Sequence, residues 1–294
     1  MLAFDRVSVN GFVRRPPPLP AIVASPITAC GRIARPGYYK VDNALVAQAD
    51  PGDCIQISAP NVSLNLNGYS VSGANAGVGV GVQVMPTAAN AFIEGGSATI
   101  SGFFDGVEIG GVGAIAENFN AENNSDAGVL LNRARLANVA NFIASNNRFD
   151  GVRFAESVQS VVQSFAASGN NRYGVWLVGS SHDAVSAFTV SDNIIAGVYL
   201  GCSFDGPGGT CPRFAPKSNF NVIFAGVAST SESVPSQDYG VAIDLGDISN
   251  RVADITAQWN STYDLYDANQ VCGKNAWFAW TAIKPQVPEG GCAD

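Results

Sequence analysis

Apolar and polar residues alternate with period two over short stretches along most of this chain, and Gly, Asn, Ser and Asp interrupt them every few residues. Such alternation marks strands with one buried face, and the interruptions mark turns. No window of about 11 residues keeps an apolar stripe at helical spacing, so short strands joined by turns are predicted. In the middle of the chain the pattern locks into a register. Phe119, Phe142, Phe165 and Phe188 are each 23 residues apart, and Asn124, Asn147, Asn170 and Asn193 keep the same step. Four residues after each asparagine stands a Gly-Val-x-apolar strand: Gly128–Leu131, Gly151–Phe154, Gly174–Leu177 and Gly197–Leu200. A unit of this length buries its apolar face only by stacking on its neighbours, so the register predicts a solenoid.

In a coil of stacked strands, equivalent residues lie about 4.8 Å apart, so each repeated position becomes a column. The phenylalanines then form an interior aromatic stack. The asparagines form a ladder whose amides bond one another and the turn backbone, which is how buried amides are satisfied. Weaker copies extend the pattern upstream through Gly106–Ile109, Gly81–Val84 and Cys54–Ile57. Downstream they continue through Asn219–Ala228, Gly240–Ile243 and Asn260–Tyr266. The expectation is about nine or ten coils, a rod of about 45 Å at that spacing. The chain divides into a lead-in at 1–26, a solenoid at 27–268 with a loop insertion at 202–217, and a C-terminal cap at 269–294. Trp277, Phe278 and Trp280 are expected to leave the repeat and cover the apolar end.

The run Cys30-Gly31, Pro36-Gly37-Tyr38-Tyr39, Gly52-Asp53-Cys54-Ile55, Asn61–Gly68 and Ser72-Gly73 resembles the first coils of right-handed parallel β-helix proteins of the pectate-lyase-like superfamily. The resemblance covers roughly Ile27 to Ala268. It implies an all-β, single-stranded right-handed parallel β-helix. It does not name an activity, because that superfamily contains lyases, hydrolases, epimerases and proteins without catalysis. The chain carries no Asp-Pro-His-Glu run as in alginate epimerases, no Gly-His-Gly as in polygalacturonases and no Trp-Ile-Asp-His as in pectate lyases.

Charge narrows the partners. The chain has 16 Lys and Arg against 24 Asp and Glu, a net charge of −8, which argues against nucleic acid as a partner. No apolar run reaches membrane-spanning length. Six cysteines in a chain of this kind favour an oxidising compartment, so the expected location is secreted or periplasmic. Their positions favour the local pairs Cys30–Cys54, Cys202–Cys211 and Cys272–Cys292, each closing a non-repeating segment. No cofactor is expected. Calcium, common in the lyases of the resembling superfamily, needs clustered carboxylates, and Asp105, Glu108 and Asp150 are a sparse set.

Function is expected on the outward column, since the inward ones are committed to packing. In each Gly-Val-x-apolar strand the third residue faces out. That column is Gln56, Gln83, Glu108, Leu130, Arg153, Trp176 and Tyr199. Arg153, Trp176 and Tyr199 are expected to form an exposed strip for sugar rings and carboxylates, with Arg172 nearby, beside the glycine-rich insertion that starts at Cys202. That insertion serves either as the wall of a cleft or as a lid over bare aromatics. Between Gly128 and Gly174 stand Arg133, Arg135, Arg148, Arg153 and Arg172 against Asp150 and Glu156, a local basic zone suited to an anionic polymer.

Two functional classes follow, with a third beside them. The first is a lyase or epimerase of a uronate-containing polysaccharide, with Arg153 as carboxylate clamp, Tyr199 as acid or base, and Glu108, Asp150 or His182 as the complementary group. The second is a non-catalytic glycan-binding or structural β-helix. The third is a small-molecule enzyme using a cleft beside the 202–211 loop. Oligomeric state is left open.

Overall fold

The computed structural model describes residues 24–48, 52–73, 77–203, 205–208, 215–230, 236–269 and 274–287. These form an all-β parallel solenoid of about 10 turns. One sheet holds 11 strands, one per coil from Gly31–Ile33 to Pro285–Gln286, and a second holds 14. The 23-residue step sets the register. Val129, Val152, Val175 and Val198 lie over one another in the 11-stranded sheet, and Phe119, Phe142, Phe165 and Phe188 do so in the 14-stranded sheet. The phenylalanine rings stack with centroids 5.1 to 5.9 Å apart, and the core behind them is Val, Ile, Leu and Ala from both sheets.

The asparagine ladder forms as the spacing predicts. Asn147 Nδ2 donates to Asn170 Oδ1 at 3.0 Å and to the carbonyl of Ala121 at 3.2 Å, and Asn170 repeats this toward Asn193 and Ala144. A second ladder lines the other turn: Asp183 N–H donates to Asn221, Asn221 to Asn250 and Asn250 to Asn275. Sequence spacing misses it because the insertion after Leu200 stretches the step from Asp183 to Asn221 to 38 residues.

Four successive strands of the 14-stranded sheet, Ile115–Glu122, Asn138–Ser145, Val161–Ser168 and Ala184–Ser191, bend once each. Asn118, Asn141, Ser164 and Ala187 have φ between 51° and 62°, a left-handed conformation that only a repeated tertiary context imposes on such varied residues. This bend folds the sheet into a corner outside the phenylalanine stack.

Cys30 and Cys54 are bonded and join the first two strands of the 11-stranded sheet, which pair at Gly31 and Ile55. Cys202 is also disulfide-bonded. Cys211, Cys272 and Cys292 lie outside the described residues. The segment expected to leave the repeat instead continues it: Ala276–Phe278 and Thr281–Ala282 extend the larger sheet, and Pro285–Gln286 extends the smaller. Trp277 is buried there against the last coil of the core. Among the described residues no helix is long and apolar enough to cross a membrane.

Candidate functional site

Pairing along the 11-stranded sheet puts Gln56, Gln83, Glu108, Leu130, Arg153, Trp176 and Tyr199 in one column, as the alternation predicts. Its exposure differs from the expectation. Trp176 is 2% exposed and Tyr199 0%, so the predicted open aromatic strip does not exist. The two pack with Tyr173, Ala196 and Ala242 in a small second core outside the sheet.

The chain after Leu200 covers this second core. Trp176 Nε1 donates to the Gly201 carbonyl at 2.8 Å, and the Tyr173 hydroxyl donates to the Ser203 carbonyl at 2.9 Å. The Tyr199 hydroxyl donates to Asp244, whose carboxylate also accepts the Gly208 N–H at 3.3 Å. Burial, then Asp244, push the Tyr199 phenol well above its ordinary value. Residues 201–203 and 205–208 therefore lie down on the aromatics as a lid. Tyr199 is sealed off as an acid or base and Trp176 as a sugar platform.

Arg153 and Arg172 are likewise committed. Arg153 donates from Nε to Asp150 at 2.7 Å and from Nη1 to Asp126 at 2.8 Å, and Arg172 donates to both oxygens of Asp150 at 2.7 and 2.9 Å. Burial works against the Arg153 charge, but Asp150 and Asp126 overcome it and hold the guanidinium further up than usual. Both guanidinium groups also sit near the Trp176 ring, at 5.2 and 4.7 Å from its centroid. Asp126 falls two residues before the window that gave a positive count, and Arg133 pairs with Glu156 at 3.0 Å. The basic zone is thus neutralised except for Arg135 and Arg148, which are exposed.

His182 is not part of this face. It lies on the turn beyond the strand Tyr173–Val178, where its ring stacks on Phe220 with centroids 5.1 Å apart. Asp150 is buried with both carboxylate oxygens taken by Arg153 and Arg172, and that pairing removes it as a catalytic acid or base.

What stays accessible is the N-terminal half of the column. Gln56 donates to Gln83 at 3.0 Å, Gln83 to Glu108 at 2.7 Å, and Asn132 to the other Glu108 oxygen at 2.9 Å. Gln56, Gln83 and Glu108 are half-buried and Asn132 is exposed, so this strip meets solvent along one edge. Asp105 begins the same strand as Glu108 and accepts the Ala127 N–H at 3.0 Å. Burial first, then the Asp126 carboxylate, raise its pKa to about 7. The strand thus carries one carboxyl, Asp105, whose proton is exchanged near neutral pH, and one, Glu108, held by two amides. A carboxyl whose surroundings raise its proton affinity toward neutral pH is the pattern of a general acid. Sequence reading grouped Asp105 with Glu108 and Asp150 as carboxylates near one strand edge, but its raised pKa comes from burial and then from Asp126 of the next coil. Among the described residues no group of three or more His, Cys, Asp or Glu side chains is placed to hold a metal ion.

No protein-family model matches the chain, and no curated protein matches it in sequence. Solved structures do match. The Dettilon tailspike protein superimposes with a TM-score of 0.60 over 86% of this chain at 11% identity, and this chain spans 62% of its length. The periplasmic alginate epimerase AlgG matches with a TM-score of 0.54 over 83% of this chain and 67% of its own, at 12% identity. The A-module of the Azotobacter vinelandii mannuronan C-5 epimerase AlgE6 gives 0.53 over 83% and 70%, at 13% identity. The fold is a right-handed parallel β-helix. Identities this low carry the β-helix scaffold and nothing of the chemistry, so any activity must be argued from the strip itself.

Proposed function

We propose that this β-helix acts on a polysaccharide laid along the open half of the 11-stranded sheet, with Asp105 as proton donor and Glu108 as proton acceptor. The observation that carries the reading is the pair itself: on one strand, a carboxyl raised to about 7 stands three residues from a carboxylate fixed by Gln83 and Asn132. Hydrogen-bonding amides on neighbouring coils give hydroxyl-rich ligands a polar track about 4.8 Å per step. Support of a weaker kind comes from the fold neighbours, two of which are named for epimerising alginate or mannuronan. Transfer of that chemistry gives the uronate reading, in which Glu108 removes the proton beside the ring carboxylate and Asp105 protonates the leaving oxygen or the opposite ring face. The disulfide between Cys30 and Cys54 supports a secreted or periplasmic location.

A second reading, glycan binding without turnover, is favoured by one observation. Arg153, the cation of that column nearest the pair, is held by Asp126 and Asp150 instead of facing a substrate carboxylate. Incubating the chain with alginate, polygalacturonate and neutral glucans separates the readings. Ultraviolet absorbance of an unsaturated uronate marks elimination, a changed epimer ratio by proton NMR marks epimerisation, and new reducing ends alone mark hydrolysis. Binding with none of these establishes the second reading; neither binding nor product with any polymer removes both.

A further inference from the structure

The corner on the 14-stranded sheet carries a second feature. An open trough of about 400 Å³ runs along it, lined by Ser97, Asn118, Asn141, Ile143, Ser164 and Ala166 over the edges of the phenylalanine stack. The left-handed residues make it: Asn118, Asn141, Ser164 and Ala187 turn each strand inward at the same register, so a groove follows the helix axis. The column continues through Ala225 and Asp254 to Ala279, with φ of 52°, 53° and 47°. There a second hollow of about 460 Å³ is lined by Arg251, Asp254 and Phe278, with the Arg251 guanidinium 5.2 Å from the Phe278 ring centroid.

From this corner we infer a second ligand site: an axial groove for a chain of neutral sugars, separate from the Asp105 and Glu108 strip. Three properties select that class. The lining of the 400 Å³ trough holds no charged side chain, on a protein of net charge −8. A polyanion is repelled by the molecule and finds no cation there. The lining alternates amide and hydroxyl groups with the apolar Ile143 and Ala166, which suits ligands that carry hydroxyls on their rims and C–H groups on their faces. Finally, the groove lies on a sheet face whose backbone groups are already paired between coils, so an extended peptide cannot add to it as a strand, the mode by which sheets capture peptides. The four coils from Asn118 to Ala187 span about 14 Å at the strand spacing, room for a short run of pyranose rings. Phe278, 48% exposed at the far end, offers a stacking face in line with it.

The inference goes beyond the function proposed above and stands or falls apart from it. The test uses the full chain titrated with cellohexaose, laminarihexaose and mannohexaose by calorimetry, beside an alginate hexamer and an unrelated extended peptide. Ala166→Glu and Ile143→Glu place a charge and bulk in the trough from outward positions, and Glu108→Gln alters the other face. At least one neutral hexasaccharide is expected to bind wild type and Glu108→Gln equally and to lose tenfold or more in both trough variants, with unfolding midpoints unchanged. No neutral hexasaccharide binding, binding only of the uronate or the peptide, or a loss that follows Glu108→Gln instead would overturn it.

Discussion

Asp183 heads the second ladder, and replacing it with asparagine should stabilise the protein in a pH-dependent way. In that ladder each asparagine accepts a backbone N–H through Oδ1 and donates through Nδ2 to a carbonyl one coil back: Asn221 to Ser180 at 2.9 Å and Asn250 to Ser218 at 2.9 Å. Asp183 Oδ1 keeps the acceptor role, taking the Ser160 N–H at 2.7 Å and the Ser157 hydroxyl at 3.3 Å. Its Oδ2 is buried without a partner. By register it occupies the place of the amide nitrogen, which in the asparagines of this ladder donates to a carbonyl one coil back, so an acceptor stands where the ladder needs a donor. A proton resolves the conflict, and burial raises the Asp183 pKa to about 7 from 3.8.

The sign follows from that shift. Between about pH 4 and 7 the folded chain holds a proton that the unfolded chain has released, so stability falls as pH rises through this window and levels off above it. Three pKa units correspond to about 4 kcal/mol as an upper bound on the penalty at pH 8. Asp183→Asn removes the titration and supplies the missing N–H donor, itself worth about 1 kcal/mol. The variant is expected to exceed wild type by about 2–4 kcal/mol at pH 8 and by less than about 1 kcal/mol at pH 4. Urea unfolding at both pH values, checked for reversibility, reads the difference, and titrations shared by both proteins cancel. A variant less stable than wild type at pH 8, or an equal gain at both pH values, would refute the reasoning.

Other substitutions probe the same physics. Asn170→Asp, the converse change, strips the first ladder of a donor to the Ala144 carbonyl and buries a charge between Asn147 and Asn193; a loss of about 2–4 kcal/mol at pH 8 that shrinks toward pH 4 is expected by urea unfolding. Arg153→Ala leaves Asp126 and Asp150 facing each other with one cation fewer, and about 3–5 kcal/mol should be lost, read as a lower thermal midpoint. Pairing Cys30→Ser with Cys54→Ser opens a loop of 24 residues and should cost about 3 kcal/mol, whereas a midpoint insensitive to the change would show that the first coils hold without it.

The scaffold was legible because a solenoid writes its geometry as spacing. A phenylalanine every 23 residues must stack, and an asparagine at the same step must ladder, whatever the loops do. Alternation likewise assigned Arg153, Trp176 and Tyr199 to the outward column. It could not say that they were open: Gly201, Ser203 and Gly208, outside the repeat, cover the aromatics, and Asp126 of a neighbouring coil reaches Arg153 across 27 positions. The corner of the larger sheet had no sequence signal, because Asn118, Asn141, Ser164 and Ala187 share a backbone conformation and no side-chain type. Asp105 owes its raised pKa to burial and to Asp126, which only the stacked coil brings near it.

Turnover by Asp105→Asn and Glu108→Gln decides most directly whether the open strip is the working surface. With the polysaccharide that the wild-type chain converts fastest, both variants are predicted to lose at least about a hundredfold in rate, the scale of general acid–base catalysis, while unfolding no more easily than wild type. Wild-type rates in both variants, or a rate lost only when the Trp176 and Tyr199 lid is altered, would contradict the account.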